Sequence, residues 1–212
     1  MIQPKVFRED RISVLHELIQ ENPFATLVSM QEGEIVGDHI PMVLQSTQSK
    51  MGVLQGHIAG GNPIGKKLDD EVEVLVIFQG LHHYISPSWY PSKQEHERVV
   101  PTWNYVVAHA KGCLKLIRDK DWKLSHLNDL TNAHEREREK PWRISDAPDE
   151  FITRQMSGIL GLEIDITSLH GTCKVSQNKN SHDYQGVIDG LNKEGSSLSP
   201  FMKDLGEANR LI

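Results

Sequence analysis

The chain has 212 residues, a formal net charge of -6 at neutral pH, and 38% hydrophobic and 25% charged residues. That is enough apolar chain for a real core, and the acidic balance excludes a generally basic nucleic-acid surface while leaving room for a local one. The two cysteines, Cys113 and Cys173, lie far apart without a CxxC partner, no apolar run approaches a membrane span, and MIQPKVFRED at the start has no apolar leader core; a reducing cytoplasm is the expected setting.

Ile12, Leu15, Leu18 and Ile19 share one face of a first helix, which Asn22-Pro23 ends. Strands follow. Phe24 to Met30 is the first, Glu32-Gly33 supplies a turn, and Ile35 to Leu44 is the second, with Val36, Ile40, Met42 and Leu44 on one face and Gly37, His39 and Pro41 on the other. Val53 to Ala59 is a third, a short helix is expected over residues 63 to 68, and Val72 to Phe78 is apolar enough for burial on both sides. Tyr84 to Tyr90 and Asn104 to Ile117 continue the sheet. Mixed charges from Asp119 to Lys140 predict a solvated helix, Pro141 breaks it, and Asp149 to Met156 is a further short helix. Leu160, Leu162, Ile164 and Ile166 alternate as in a half-buried strand, and Tyr184 to Leu191 forms a closing helix before a Gly/Ser-rich tail. Short turns between many strands favour a mainly β, α+β barrel, closed or split, over a doubly wound fold. No repeat or linker divides residues 1–212, so the expectation is one domain with a helical insertion near 119–156 and a C-terminal helix.

Two segments carry chemistry. In GHIAGGNPIGKK, from Gly56 to Lys67, a strand runs into paired glycines, Asn62 sits at a helix N-cap position and Pro63 at the first helical position. Free amides at a helix start, with Lys66 and Lys67 close behind, favour a phosphate; the same residues also describe an ordinary strand-to-helix turn with two solvated lysines. In the second segment, Ser86, Ser88 and Trp89 flank Pro87, and Thr102, Trp103 and Asn104 follow Pro101. Indoles beside hydroxyls and an amide suit a flat ring with polar edges, although Trp and Tyr beside Pro also serve as barrel corners. An anion site with a ring site describes a nucleotide-like ligand.

The blocks FATLVSM at Phe24, HIPMVL at His39, GHIAGGNP at Gly56, VLVIFQG at Val74, YISPSWYPSK at Tyr84, VPTWNYVVAHAKG at Val100 and KVSQN at Lys174 resemble, in order, the signature blocks of the PaiB family of FMN-binding negative transcriptional regulators. The resemblance implies an FMN-binding split β-barrel with peripheral helices, related to the pyridoxamine-phosphate-oxidase type and homodimeric, with FMN at the subunit interface. It implies that His57, Asn62, Lys66 and Lys67 hold the phosphate, that His39 and Pro41 line the flavin cleft, and that Thr102, Trp103 and Asn104 meet the ring or ribityl chain. Ser86, Ser88 and Trp89 would reach across the dimer interface, and Lys174, Ser176, Gln177 and Asn178 would close the site. The chain departs from the family at His82-His83, where a small residue is usual, and at Gly65-Lys66, where relatives of this barrel often carry arginine.

Other readings stay open at this level. Some split barrels hold haem, for which His82, His83 and His109 are candidates. A flavin-dependent oxidoreductase would draw proton donors from His39 and Tyr84, though no catalytic constellation is assembled. No metal site is expected from eleven scattered histidines. Direct DNA binding lacks a helix-turn-helix or a basic stripe to support it.

Overall fold

A computed structural model describes residues 4–67 and 72–208. After a 3-10 turn at Lys5–Phe7, the elements are β1 (Arg8–Glu9), α1 (Ile12–Glu21), β2 (Phe24–Gln31), β3 (Glu34–Pro41), β4 (Val43–Gln45), β5 (Val53–Ala59) and α2 (Ile64–Lys67). They continue with β6 (Val72–Ile85), a 3-10 turn at Pro87–Trp89, α3 (Lys93–His96), β7 (Thr102–Ile117) and α4 (Lys120–Glu135). A 3-10 turn at Ile144–Asp146, α5 (Asp149–Ser157), β8 (Ile159–Lys174), α6 (Ser181–Lys193) and α7 (Leu198–Ala208) complete the chain. The strands form one sheet in the order β3-β2-β6-β7-β8-β5-β4, with β1 on β8, and the β1–β8, β2–β3, β2–β6, β4–β5 and β5–β8 ladders are antiparallel. The mainly β, α+β class expected from the sequence is the one observed.

Contacts group the chain into two compact units, one of residues 1–11, 79–108 and 170–212, the other of residues 12–78 and 109–169. The long strands β6, β7 and β8 contribute residues to both.

In the larger unit, β3 and β4 stand at opposite ends of the strand order, yet only Met42 separates them in sequence. The sheet there must curl until its edges meet, which is how an antiparallel sheet closes on itself. Gly56 permits the approach: a Cβ there would lie 2.9 Å from Met42 Sδ and 3.1 Å from Ile40 Cγ2. The second strand expected from the sequence is therefore two, broken at the barrel corner. The Glu32-Gly33 turn has the two positive φ angles, 52° and 87°, that a tight hairpin needs. Leu15 and Ile19 of α1 are buried as their spacing required, and Leu27, Ile40, Leu54, Val76, Phe78, Leu162 and Ile164 form the core. Leu75 and Ile77 are only half-buried, so β6 has one core face rather than two.

Other boundaries moved for local reasons. Tyr84 to Tyr90 is not a strand: β6 runs on to Ile85, then Pro87 and the Ser86 side chain, which accepts from Ser88 N at 3.2 Å, wind a 3-10 turn. The charged helix stops at Glu135, whose carboxylate takes Arg138 at 2.9 Å and the Trp142 amide at 3.1 Å. The expected Gly/Ser tail contains α7, seated by buried Leu198 and Met202.

Candidate functional site

The Gly60–Lys67 turn lies in the larger unit and is more self-contained than its sequence implied. Gly60 N donates to Gly158 O at 2.7 Å, Asn62 N to Ala59 O at 2.9 Å, and Gly65 N to Asn62 O at 3.0 Å. Asn62 caps the helix as expected, accepting from Ile64 N at 2.9 Å, and its amide donates to Asp38 Oδ1 at 2.8 Å. The helix it caps is one turn long, so its dipole is small, and the Asp38 carboxylate brings negative charge to the turn, with Oδ2 buried and unpartnered among the described residues. The Lys66 and Lys67 side chains, and Leu68, lie outside the described residues. Alternation on β3 puts Asp38 with the half-buried positions, but no local pattern marks Asn62, 24 residues on, as its partner.

His57 faces α4 instead. Its Nδ1 is 3.1 Å from Nε2 of His126, and the two rings meet edge-on with centroids 5.3 Å apart. His126 is buried and stacks on Trp122 at 5.3 Å with 20° between planes. The Trp122 ring fills the space over Gly161, the register partner of His57, where a Cβ would come within 2.3 Å of the indole. Trp122 Nε1 and Gln55 Nε2 both donate to Glu163 Oε2 at 3.1 Å, and Gln45 Nε2 bridges Gln55 Oε1 at 3.3 Å and Asp129 Oδ2 at 3.1 Å. Lys123, also buried, donates to Met156 O at 2.8 Å. The helix read as solvated thus docks through a polar face of Trp122, Lys123, His126 and Asp129. Burial lowers the His57 pKa, and burial with the neighbouring His57 brings His126 down to about 4.

His39 is exposed on β3 and stacks on Phe24, its ring 6.0 Å away, close to half-buried Pro41. Phe24, Met30 and Ile35 keep this outer face apolar.

In the smaller unit the ring-binding candidates separate into two groups. Trp103 is 54% exposed and Tyr84 44%, with centroids 6.0 Å apart, and exposed His82 lies 6.4 Å from the indole. These three present an open aromatic surface on β6 and β7. Asn104, the next residue, points inward, is fully buried, and donates to Ser176 Oγ at 2.9 Å. Ser176, itself buried, adopts a left-handed φ of 62°. Lys174 Nζ donates to Thr102 Oγ1 at 2.5 Å, and Gln177 clamps its own loop, accepting from Val175 N at 2.7 Å and donating to Val6 O at 3.1 Å. Asn178 is exposed. The Ser86 and Ser88 hydroxyls bond each other at 2.7 Å, and Trp89 packs on α6 over Gly186 and Gly190, where added Cβ atoms would lie 2.1 and 2.2 Å from it. Both ring nitrogens of His83 are engaged, Nδ1 by Tyr84 O at 2.7 Å and Nε2 by Glu194 at 3.4 Å.

Among the described residues no group of three or more His, Cys, Asp or Glu could hold a metal ion, and no helix is long and apolar enough to cross a membrane.

Residues 1–168 match the family model described as "Putative FMN-binding domain". The chain is 31% identical over 207 residues to protease synthase and sporulation protein PAI 2 of Bacillus subtilis, covering 98% of this chain and 97% of that one. Among solved structures it is similar to the FAD and haem binding protein of Mycobacterium smegmatis, with a TM-score of 0.58 and 17% identity over 79% of this chain and 73% of the other. It is also similar to the flavocytochrome Anf3 of Azotobacter vinelandii, with a TM-score of 0.56 and 13% identity over 80% and 69%. At these identities the structural likeness is one of fold.

Proposed function

This chain belongs to the family described as "Putative FMN-binding domain", and on that premise we propose that it binds FMN as a homodimer, with the flavin at the subunit interface, and works as a PaiB-type negative regulator of transcription. The observation that carries the cofactor is the family match itself, which covers residues 1–168.

The chain's own surface fits a flavin ring well. Trp103, Tyr84 and His82 offer exposed π faces and polar edges to an isoalloxazine, whereas buried Asn104 and Ser176 support the strand behind them. The phosphate fit is leaner. The Gly60, Asn62, Ile64 and Gly65 amides are already donated to protein acceptors and burial lowers the His57 pKa, so among the described residues the turn has little beyond the Gly61 amide to offer, with Lys66 and Lys67 following in the sequence. FMN bound there would supply redox chemistry, while the protein would bind and orient it. The regulator reading rests on likeness to the PaiB family, and the net charge of -6 argues for action without a broad grip on DNA phosphates.

Titration of the full chain with FMN, followed by flavin fluorescence and calorimetry, tests the reading. Trp103→Ala should weaken FMN binding at least tenfold, equivalent to about 1.4 kcal/mol. Unchanged affinity removes the indole from the site, and wild-type protein that binds no FMN overturns the cofactor. Sedimentation with and without FMN tests the dimer, and operator binding at varied salt tests the regulator.

A further inference from the structure

We propose that the His57–His126 pair is an acid-sensitive latch: proton uptake by the two imidazoles releases α4 from β4, β5 and β8 while the rest of the protein stays folded.

Two neutral imidazoles carry two hydrogens on four ring nitrogens, and the 3.1 Å contact between His57 Nδ1 and His126 Nε2 needs a hydrogen on one of these atoms and a lone pair on the other. In the neutral pair, His126 can donate through Nε2 and leave Nδ1 as a bare lone pair. That atom is buried with no hydrogen-bond partner among the described residues, and an unfilled acceptor is tolerated there more readily than an unfilled donor. A third hydrogen changes this. If the contact is kept, the one bare nitrogen must be His57 Nδ1 or His126 Nε2, so His126 Nδ1 must carry a hydrogen that has no acceptor. The alternative is to put hydrogens on both facing nitrogens, which breaks the contact. Either way the pair, with His126 buried and His57 half-buried, resists the proton, and the structure that holds it must yield as pH falls.

Among the described residues the surroundings do not supply the missing acceptor. Around the pair, α4 contributes Lys123, held by Met156 O of α5, and Asp129, bonded by Gln45 of β4; β8 contributes Glu163, bonded by Gln55 and Trp122. The fully buried residues of α4 are Lys123 and His126, whereas Trp122, Leu124, Leu127 and Leu130 are half-buried, so apolar burial contributes only part of the docking and loss of the imidazole contact weighs on it. Gly161 leaves room for Trp122, and Trp122 in turn stacks on His126, so the rings stand or fall together.

The direction follows from linkage. The folded-state pKa of His126, about 4, lies below the ordinary histidine value of 6.5, so the docking free energy is fully present above pH 6.5 and is lost progressively as pH falls from there towards 4. In the same interval the expected readout is local: hydrogen exchange of residues 120–135, corrected for intrinsic rates, should lose at least tenfold in protection between pH 7 and pH 5, while residues 181–193 of α6 keep theirs.

The test is hydrogen-exchange mass spectrometry of the full chain from pH 7.5 to 4.5, with and without His126→Gln, alongside nitrogen-15 NMR of the histidine rings. His126→Gln keeps an amide donor for His57 and should flatten the pH dependence over residues 120–135. Nuclear magnetic resonance should find His126 Nδ1 unprotonated at pH 7.5, and this wild-type measurement stands even if the variant fails to fold. The proposal is overturned by a hydrogen on His126 Nδ1 at pH 7.5, by a histidine of ordinary pKa at that position, by loss of protection equal in α4 and α6, or by the same pH dependence in the variant. No flavin is needed for any arm.

Discussion

Gly186→Ala should destabilise the protein, against the usual sign for a glycine in a helix. Gly186 lies within α6, where alanine is ordinarily preferred by about 1 kcal/mol. Here an added Cβ would sit 2.1 Å from the Trp89 carbonyl oxygen and 2.8 Å from Pro91 Cδ. Ordinary contact requires roughly 3.5 Å, so helix and 3-10 turn must separate by more than about 1 Å. The obstacle is backbone, flanked by Pro87 and Pro91, and has no rotamer to escape into. Overpacking of this kind costs about 3 kcal/mol, and subtracting the propensity gain leaves about 2 kcal/mol net. For a chain of this size that is a fall in Tm of about 4–8 °C. Urea unfolding followed by circular dichroism, with the slope compared between variants, reads it directly. A Gly186→Ala protein as stable as wild type, or more so, would show that Trp89 does not pack on α6 as described, and would return Trp89 to the list of residues free to meet a ligand.

Asn62→Ala should cost about 2 kcal/mol in the same assay, because it removes the helix cap and strips Asp38 of its hydrogen bond. Asn62→Asp keeps the cap but sets a second carboxylate against Asp38, so its deficit should shrink as pH is lowered towards 4; a deficit independent of pH would refute the Asp38 contact. Burial pushes the Cys173 thiol up to about 11, so in a Cys113→Ser protein at pH 8 the native chain should react with a disulfide reagent at least tenfold more slowly than the urea-unfolded chain. Equal rates would place Cys173 at the surface.

The distribution of what could be read from the chain follows physical range. Strand alternation at Leu160 to Ile166, the i, i+3, i+4 spacing of α1, the positive-φ turn at Glu32-Gly33 and the Asn62 cap are set by contacts a few residues apart, and each is observed where the sequence puts it. The structure departs from local preference where a tertiary contact overrides it. The outer face of α4 is charged, and the two residues it buries fully, Lys123 and His126, are polar too, so no clear hydrophobic stripe marks the docked face. Trp89 and Trp103 have similar neighbours in sequence; only the two glycines of α6 make one a packing residue, while Trp103 remains open to solvent.

Composition, periodicity and motif order thus determined the antiparallel class, the family and a short set of candidate ligand-binding segments, since these depend on residue type and near spacing. Which member of each segment is free to act was decided by the tertiary structure. Asn104 and Trp103 are adjacent on one strand and point to opposite faces, and His57, beside the anion turn in sequence, meets a ring partner 69 residues away. A side chain's availability depends on what the rest of the chain brings against it, and that distance in sequence leaves no local trace.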